Sequence, residues 1–364
     1  MTLLAPRLRA PLTTVALVAA LGFCALQVEA LSWPFALGID FPPLRNAGVA
    51  LLHGRSIYGD HAFVYPPPAA LLGVPFALPG AEVGFVLWLL LGTAALIVAG
   101  NRIVRSATAD HGLLAAAAIM LFGGGCVATD SLWLGNASVL VVPLAVTAVL
   151  AFQQERWGWG CAVLVASLLV KPLLVTLLLV PALRRQWRPL GAALASGTAA
   201  LLASVVLLPG GSHFPRVLGY LLRGTNLHGA NAFNNLSLRG WAEYHHLSPT
   251  VGLVGSLAVV GVALAVAPRT GVGADPARLA ATVLAATLLA GAIAEVHYLL
   301  TLGALVLVIV GRDARSLRHL GPGLALLLAP ASLRDVVPLS IQTWYVVAEG
   351  LLLAGLLIRP RARA

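Results

Sequence analysis

A single carboxylate follows the first long apolar run of the chain. The stretch SWPFALGIDFPPLRNAG, residues 32–48, holds one acid, Asp40, between aromatic and proline residues. A carboxylate within hydrogen-bond reach of a hydroxyl group can remove its proton as a general base. The alternative role of Asp40 is to cap a helix within an ordinary linker, since aspartate is a common N-cap residue. The residue types therefore leave two roles open for Asp40, catalytic base and helix cap.

Lys171 is the second residue whose position calls for a partner. It is the only lysine, the other 22 basic residues being arginine, and it precedes Pro172 at the midpoint of the apolar run 159–183. A charged side chain at the centre of an apolar helix costs about 2.5–3.5 kcal/mol on insertion scales, so it normally faces a cavity or a partner. We predict that Lys171 meets an anionic group. Snorkelling to the membrane surface and pairing with a buried acid are the alternatives.

Other polar side chains gather in three stretches outside the apolar runs. They lie in GRSIYGDHAFVYPPP (54–68), in the segment 209–248, which is rich in Asn, His, Arg and Gly, and in AEVHYLL (294–300). Such groups beside aromatic residues suit carbohydrate or phosphate recognition, and they suit a solvated loop equally well. His245 and His246 lack the spacing to other ligands that zinc sites show. The sequence also contains no GxGxxG, Walker or HExxH motif.

The composition indicates the environment in which these residues work. Of the 364 residues, 59% are hydrophobic and 10% are charged, with a mean hydropathy of +0.93. Soluble domains carry about 25% charged residues, so the sequence predicts a polytopic membrane protein. The net charge of +10 is explained by arginine in cytoplasmic loops rather than by nucleic-acid binding.

The apolar runs predict an all-α, polytopic transmembrane protein. A membrane span needs about 20 apolar residues, and lipid offers no partner to unpaired backbone groups, so helix is the default. About ten full spans are predicted, near 11–33, 82–100, 112–129, 133–152, 190–208, 249–267, 277–295, 298–311, 320–333 and 338–357. The first run, which follows Arg7 and Arg9, also resembles a signal peptide. We interpret it as a span.

The arginines predict the orientation of these spans. With the N-terminus inside, 16 of the 22 arginines lie on the cytoplasmic side, as the positive-inside rule requires. The run 159–183 agrees with this rule only if it enters and leaves the membrane on the cytoplasmic side. Because proline breaks a helix and the preceding residue avoids helical angles, we predict two re-entrant half-helices, 159–170 and 172–183. The chain is then one integral membrane domain, 1–364, with large extracytoplasmic loops at 34–81 and 209–248.

Several stretches together resemble glycosyltransferase family 87 of the GT-C superfamily. They are DFPPLRNAGVALLHGRSIYGDHAFVYPPPAALLGVPFALP, LWLGNASVLVVPLAV, GCAVLVASLLVKPLLVTLLLVPALRRQWRPL and NAFNNLSLRG, in the order of the family. Within the family, the stretch around Lys171 looks most like the branching arabinofuranosyltransferases of actinobacterial cell-wall arabinan. Polyprenyl-phosphomannose-dependent α-mannosyltransferases come next. The family commonly has Gln in the fourth-span motif, where this chain has Gly135-Asn136.

The resemblance implies a GT-C-like fold and a catalytic base at Asp40. It implies a polyprenyl-phosphate sugar donor, a cell-envelope glycan or glycolipid acceptor, and reaction on the extracytoplasmic face of the plasma membrane. No cofactor is predicted, and a divalent metal is left open; the partners are donor, acceptor and bilayer, without nucleic acid. The residues predicted to bind the donor phosphate are Lys171, His297 and Arg239. Those predicted to bind substrate are Tyr65, Asp60, Asn136, Asn234, Ser237 and Tyr298.

Two other classes of protein are compatible with a chain of this composition. A transporter or flippase of lipid-linked sugars should carry polar residues inside several spans and often has paired halves. Here the charged residues inside spans are nearly limited to Lys171 and Glu349, and no halves repeat. A non-catalytic subunit of a cell-envelope assembly would tolerate replacement of Asp40 by Asn, whereas the enzyme would not.

Overall fold

The structure is a computed structural model. It describes residues 38–108, 110–124, 126–222, 235–292, 294–329 and 340–358. The predicted first span, 11–33, lies outside these ranges, as does Asn234.

The prediction of an all-α fold is confirmed, since helices dominate and no strand occurs among the described residues. The α-helices, numbered in chain order, are α1 (Phe41–Leu52), α2 (Ala69–Ala77), α3 (Ala81–Arg105), α4 (His111–Ile119), α5 (Cys126–Trp133), α6 (Ser138–Gln153), α7 (Trp157–Val170), α8 (Leu179–Leu183), α9 (Trp187–Leu207), α10 (Phe214–Leu222), α11 (Leu238–Tyr244), α12 (Pro249–Thr270), α13 (Pro276–Ala290), α14 (Val296–Arg312), α15 (Leu317–Leu328) and α16 (Ile341–Leu357). Short 3-10 helices lie at Pro172–Leu178, Gly211–His213, Val272–Ala274 and Ala314–Ser316, and a π-helix lies at Met120–Gly124.

Three helices in the described part of the chain, α3, α9 and α12, are long and apolar enough to cross a membrane. Apolar side chains on them point outward; Val206 in α9 is 80% exposed and Leu264 in α12 is 71% exposed. Outward apolar side chains suit contact with lipid tails, since a large exposed apolar surface is unusual in water. Other apolar helices are shorter. The chain is thus a multi-pass helical membrane protein, and the number of ten full spans stays a prediction.

The chain divides into two compact units. The hairpin unit consists of the described residues within Trp33–Leu96 and Ser131–Asn226. The C-terminal unit consists of those within Ile97–Asp130 and Leu227–Ala364. The division falls inside helices α3 and α5. The expectation of one membrane domain over 1–364 stays a prediction.

Helices α1 and α2 of the hairpin unit occupy the predicted loop 34–81. They approach so closely that a Cβ atom added at Gly73 would overlap the carbonyl oxygen of Leu44. Arg45 in α1 donates from Nε to the Phe76 carbonyl over 3.1 Å and from Nη2 to the Pro79 carbonyl over 3.3 Å. Phe76 lies in the last turn of α2, where helix carbonyl groups lack intrahelical partners, and Pro79 follows the helix. The segment predicted as a loop therefore contains a tightly packed helical hairpin.

The predicted break at Lys171-Pro172 is confirmed. Helix α7 ends at Val170, and Lys171 is extended, with φ −152° and ψ 125°, as expected for a residue before proline. The next half-helix differs from the prediction, because Pro172–Leu178 is a 3-10 helix and only Leu179–Leu183 is α-helical. A 3-10 helix rises about 2.0 Å per residue against 1.5 Å for an α-helix, so this arm reaches further for its length.

A buried arginine joins two helices of the C-terminal unit. Arg278 of α13 donates from Nε to the carbonyl of Leu356 over 2.8 Å. Its Nη2 donates to the carbonyls of Gly355 over 3.0 Å and Ile358 over 2.6 Å. A guanidinium at the C-terminal end of a helix satisfies unpaired carbonyls and complements the helix dipole. Arg278 therefore fixes the end of α16 against α13.

Candidate active site

The backbone at Asp40 is attached to the end of helix α5. Gly38 donates its N–H to the Trp133 carbonyl over 2.6 Å, and Asp40 donates to the Leu134 carbonyl over 2.8 Å. Asp40 immediately precedes α1, yet its side chain makes no capping hydrogen bond to that helix. The helix-cap role that the sequence left open is therefore not the one observed.

The turn that faces Asp40 is formed by Gly135 and Asn136. Gly135 has φ +74°, and a Cβ atom there would stand 2.7 Å from Cβ of Phe41. Both the backbone angle and the space therefore require glycine. Asn136 then donates its N–H to the Ser131 carbonyl over 3.0 Å. Because of this turn, helix α6 begins at Ser138 rather than at 133, where the span was predicted to begin.

Asp40, Asn136 and Lys171 lie in one hydrogen-bonded chain, the Asp40–Asn136–Lys171 network. Asn136 Nδ2 donates to Asp40 Oδ2 over 2.7 Å. Lys171 Nζ donates to Asn136 Oδ1 over 3.0 Å and to Ser138 Oγ over 2.9 Å. The Ser138 N–H donates to the same Asn136 oxygen over 2.9 Å. Two residues predicted for different tasks, phosphate binding and substrate binding, are thus linked to the predicted base.

The network lies largely inside the protein. Lys171 is 8% exposed, Asn136 4% and Ser138 0%, whereas Asp40 is half-buried. Lys171 therefore does not snorkel to a surface. Burial of a polar or charged group is costly unless the group is hydrogen-bonded, and these side chains are hydrogen-bonded. Asp40 is the most exposed of these network residues.

An apolar cluster in the hairpin unit contacts the backbone segments that carry the network. Phe41, next to Asp40, and Ala137, next to Asn136, belong to this cluster. Val170, next to Lys171, packs against it. The ring of Phe41 lies 5.8 Å from that of Trp88, measured between centroids, and 5.5 Å from that of Phe85. Aromatic pairs at such distances favour defined ring orientations. The packing of these apolar residues therefore fixes the backbone from which Asp40, Asn136 and Lys171 project.

Asp60 and Tyr65 belong to the same hairpin unit. Asp60 accepts from the Asn46 side chain over 3.0 Å and from the Ala62 N–H over 2.9 Å, which ties its turn to α1. The ring of Tyr65 is buried in the apolar cluster. Tyr58 donates its hydroxyl to the Tyr65 carbonyl over 2.8 Å, and burial raises the pKa of Tyr58 above its ordinary value. Substrate binding by Asp60 and Tyr65 stays a prediction.

The other predicted site residues within the described ranges lie in the C-terminal unit. Ser237 is buried and caps α11 by accepting the Gly240 N–H over 3.2 Å, whereas Arg239 in the next turn is exposed. His297, 6% exposed, and the half-buried Tyr298 occupy the first turn of α14. Their predicted roles in phosphate and substrate binding stay predictions, as does that of Asn234, which lies outside the described residues.

Comparison with known proteins assigns the chain to a family. Residues 63–294 match the sequence profile described as Glycosyltransferase family 87. This chain belongs to glycosyltransferase family 87. The matched range contains Asn136 and Lys171, whereas Asp40 precedes it and His297 follows it.

Two curated proteins that resemble this family 87 chain share one name. Both are called α-(1→3)-arabinofuranosyltransferase, from Mycobacterium tuberculosis strains CDC 1551 / Oshkosh and ATCC 25618 / H37Rv. Each is 32% identical over 222 residues, which is 57% of this chain and 49% of the relative. The chain thus spans about half the length of the curated relatives it matches. The predicted resemblance to family 87 is confirmed.

Two residues with structural roles in this family 87 chain, Ser138 and Asn235, were not predicted from the sequence. Ser138 supports Lys171, and the buried Asn235 donates to the Ala292 carbonyl over 2.9 Å while accepting the Ala294 N–H over 3.0 Å. In both Asn136-Ala-Ser138 and Asn235-Leu-Ser237, the asparagine oxygen accepts the N–H of the serine two residues later. Asparagine forms such turns readily. The repeated Asn-x-Ser spacing before a helix is therefore the signal that could have found them.

The described residues contain no group of three or more His, Cys, Asp or Glu side chains that could hold a metal ion. The hairpin unit presents the Asp40 carboxylate, which is hydrogen-bonded to an amide that also contacts a buried ammonium group. Such a carboxylate can accept a proton from a hydroxyl group that reaches Asp40.

Proposed function

We propose that this protein transfers a sugar from a polyprenyl-phosphate donor to a hydroxyl group of a cell-envelope glycan or glycolipid. The observation that carries the proposal is the hydrogen bond from Asn136 to the carboxylate of Asp40, in a chain of glycosyltransferase family 87. A carboxylate that is held by a hydrogen bond instead of capping its helix is suited to act on a substrate.

The proposed reaction is a displacement at the anomeric carbon of the donor sugar. The acceptor oxygen forms a bond to that carbon, and the bond from the carbon to the phosphate oxygen breaks. Asp40 takes the proton of the acceptor hydroxyl, and the polyprenyl phosphate leaves with the electron pair of the broken bond. Cationic groups stabilise the charge that develops on the leaving phosphate. We propose His297 and Arg239 for that task.

We propose arabinofuranose as the transferred sugar, with mannose as the second candidate. The support is the name of the two mycobacterial relatives, which are arabinofuranosyltransferases, together with the resemblance around Lys171. The arginine distribution supports an active site on the extracytoplasmic face of the plasma membrane. A lipid-linked donor suits that side, where the sugar is delivered by its lipid anchor.

Membranes that contain the protein provide the test. They are incubated with an oligosaccharide acceptor and with radiolabelled polyprenyl-phosphate arabinofuranose or polyprenyl-phosphate mannose. We expect transfer from the arabinofuranose donor, and we expect Asp40→Asn to lower the rate by about 10²–10⁴-fold, the range for loss of a general base. Glu82→Gln is the matched control, because Glu82 is an exposed acid in the first turn of α3. Transfer by Asp40→Asn at the wild-type rate would overturn the mechanism. Transfer of mannose alone would overturn the choice of sugar.

A further inference from the structure

We infer that Lys171 and Asn136 are positioning residues, which set the orientation of the Asp40 carboxylate through the Asn136 amide. The inference rests on the proposed function, since it describes how the proposed base is held. It assigns Lys171 a task different from the direct contact with donor phosphate that the sequence predicts. It also assigns Asn136 a task other than substrate binding.

The neighbours of Asn136 determine which way its amide points. Its Oδ1 lies 2.9 Å from the backbone N–H of Ser138 and 3.0 Å from Nζ of Lys171. A backbone N–H and an ammonium group are both donors without an acceptor site. Turning the amide over would place NH₂ against both. The oxygen must therefore face Lys171, and Nδ2 must face Asp40.

The amide joins two groups of opposite charge. Lys171 draws electron density toward Oδ1, and the N–H group at the other end becomes a better donor to the carboxylate, as in other hydrogen-bond chains. The bond from Nδ2 to Oδ2 of Asp40, 2.7 Å long, has the length of a charge-assisted hydrogen bond. Asn136 therefore provides a hydrogen-bonded path between the charge of Lys171 and Asp40.

The surrounding structure restrains the side chains of the network. Lys171 is fixed at a helix break and donates also to Ser138, which is fully buried at the start of α6. Asp40 makes no capping bond to α1. Its carboxylate accepts the Asn136 amide N–H instead, and this bond restrains its rotation.

Kinetic constants distinguish positioning from phosphate binding. We expect Asn136→Ala and Lys171→Met each to lower kcat by about 10²-fold, the effect of a misplaced reacting group, and to leave KM for the polyprenyl-phosphate sugar near the wild-type value. The double variant should be little worse than the poorer single variant, because residues that act as a unit are not additive. Lys171→Arg, which keeps the charge and the donors, should recover part of the rate.

Three results would overturn the inference. The first is a raised donor KM with unchanged kcat in Lys171→Met, which would indicate contact with the phosphate. The second is a double variant whose loss of kcat equals the product of the losses in the two single variants. The third is wild-type kcat in both single variants while Asp40→Asn is inactive, which would leave the proposed function intact.

Thermal unfolding gives a readout that does not require activity. The Tm changes of Asp40→Asn and Lys171→Met should be non-additive when Asn136 is present and additive in the Asn136→Ala background. If the wild-type protein transfers neither sugar, the proposed function fails, and this Tm cycle alone decides whether the network couples the two charges. Additive Tm changes in both backgrounds would refute the coupling.

Discussion

Asn136 donates a hydrogen bond to the carboxylate of Asp40 over 2.7 Å, although 96 residues separate the two along the chain. The bond joins the turn that precedes α6 to the residue that precedes α1. It connects the carboxylate to Lys171 through the other end of the amide. The acid that the sequence allowed as a helix cap or a base is therefore part of a polar network.

We predict that the turn at Gly135 does not tolerate even the methyl group of alanine. We expect Gly135→Ala to lower both Tm and transfer activity. The positive φ costs an L-residue about 1–2 kcal/mol, and the added Cβ would stand 2.7 Å from Cβ of Phe41. Thermal unfolding in detergent and the transfer assay measure the two effects. Gly191→Ala in α9 is the control, because a Cβ at that site would face open space beside its own helix in the described part of the chain. An unchanged Tm in Gly135→Ala would contradict the geometry of the turn.

The close contact between α1 and α2 predicts that Gly73→Ala prevents the hairpin from closing. The added Cβ would meet backbone, the Leu44 carbonyl oxygen, which cannot turn aside as a flexible side chain can. We expect severe loss of folded protein, measured by size-exclusion chromatography of the detergent extract. Gly261→Ala in α12, where a Cβ would lie in open space, should give the wild-type yield. A well-folded, active Gly73→Ala would show that the helices do not need this contact.

Arg278 should be among the most important residues for the stability of the C-terminal unit. Its replacement by Met keeps the apolar stem and removes the bonds to the last carbonyls of α16. Since hydrogen bonds to charged groups contribute about 1.5–3 kcal/mol each, we expect a large fall in Tm. Arg269→Met is the control, because Arg269 is exposed and bonds a carbonyl of its own helix, that of Ala265. Equal Tm changes for the two variants would disprove this role of Arg278.

Glu349 in α16 is expected to destabilise the fold. Its side chain is 0% exposed, and neither carboxylate oxygen has a hydrogen-bond partner in the described part of the chain. Burial of a polar group without such a bond costs about 1–3 kcal/mol by mutational data. Glu349→Met should therefore raise Tm and leave transfer unchanged, while Glu82→Gln at an exposed site should alter neither. A lower Tm, or lost transfer in Glu349→Met, would reveal a partner or a functional role for Glu349.

Local patterns in the sequence determined the class of the protein and the position of one helix break. The long apolar runs predicted an all-α membrane protein, because an unpaired backbone group has no partner in lipid. Pro172 predicted the break at Lys171, because its effect acts on the adjacent residue. The motifs also predicted glycosyltransferase family 87, which the family match confirms. Local patterns did not predict the 3-10 winding of Pro172–Leu178 or the packed α1–α2 hairpin.

Only the tertiary structure decided what Asp40 and Lys171 contact. The sequence singled out both residues by type and position, but Lys171 lies 35 residues from Asn136 and Asn136 lies 96 from Asp40. Propensity and periodicity act over one or two helical turns and cannot select a partner at such separations. The partner was set by the left-handed turn at Gly135 and by the packing of Phe41, Ala137 and Val170 in or against one apolar cluster. Those contacts exist only once the helices have packed.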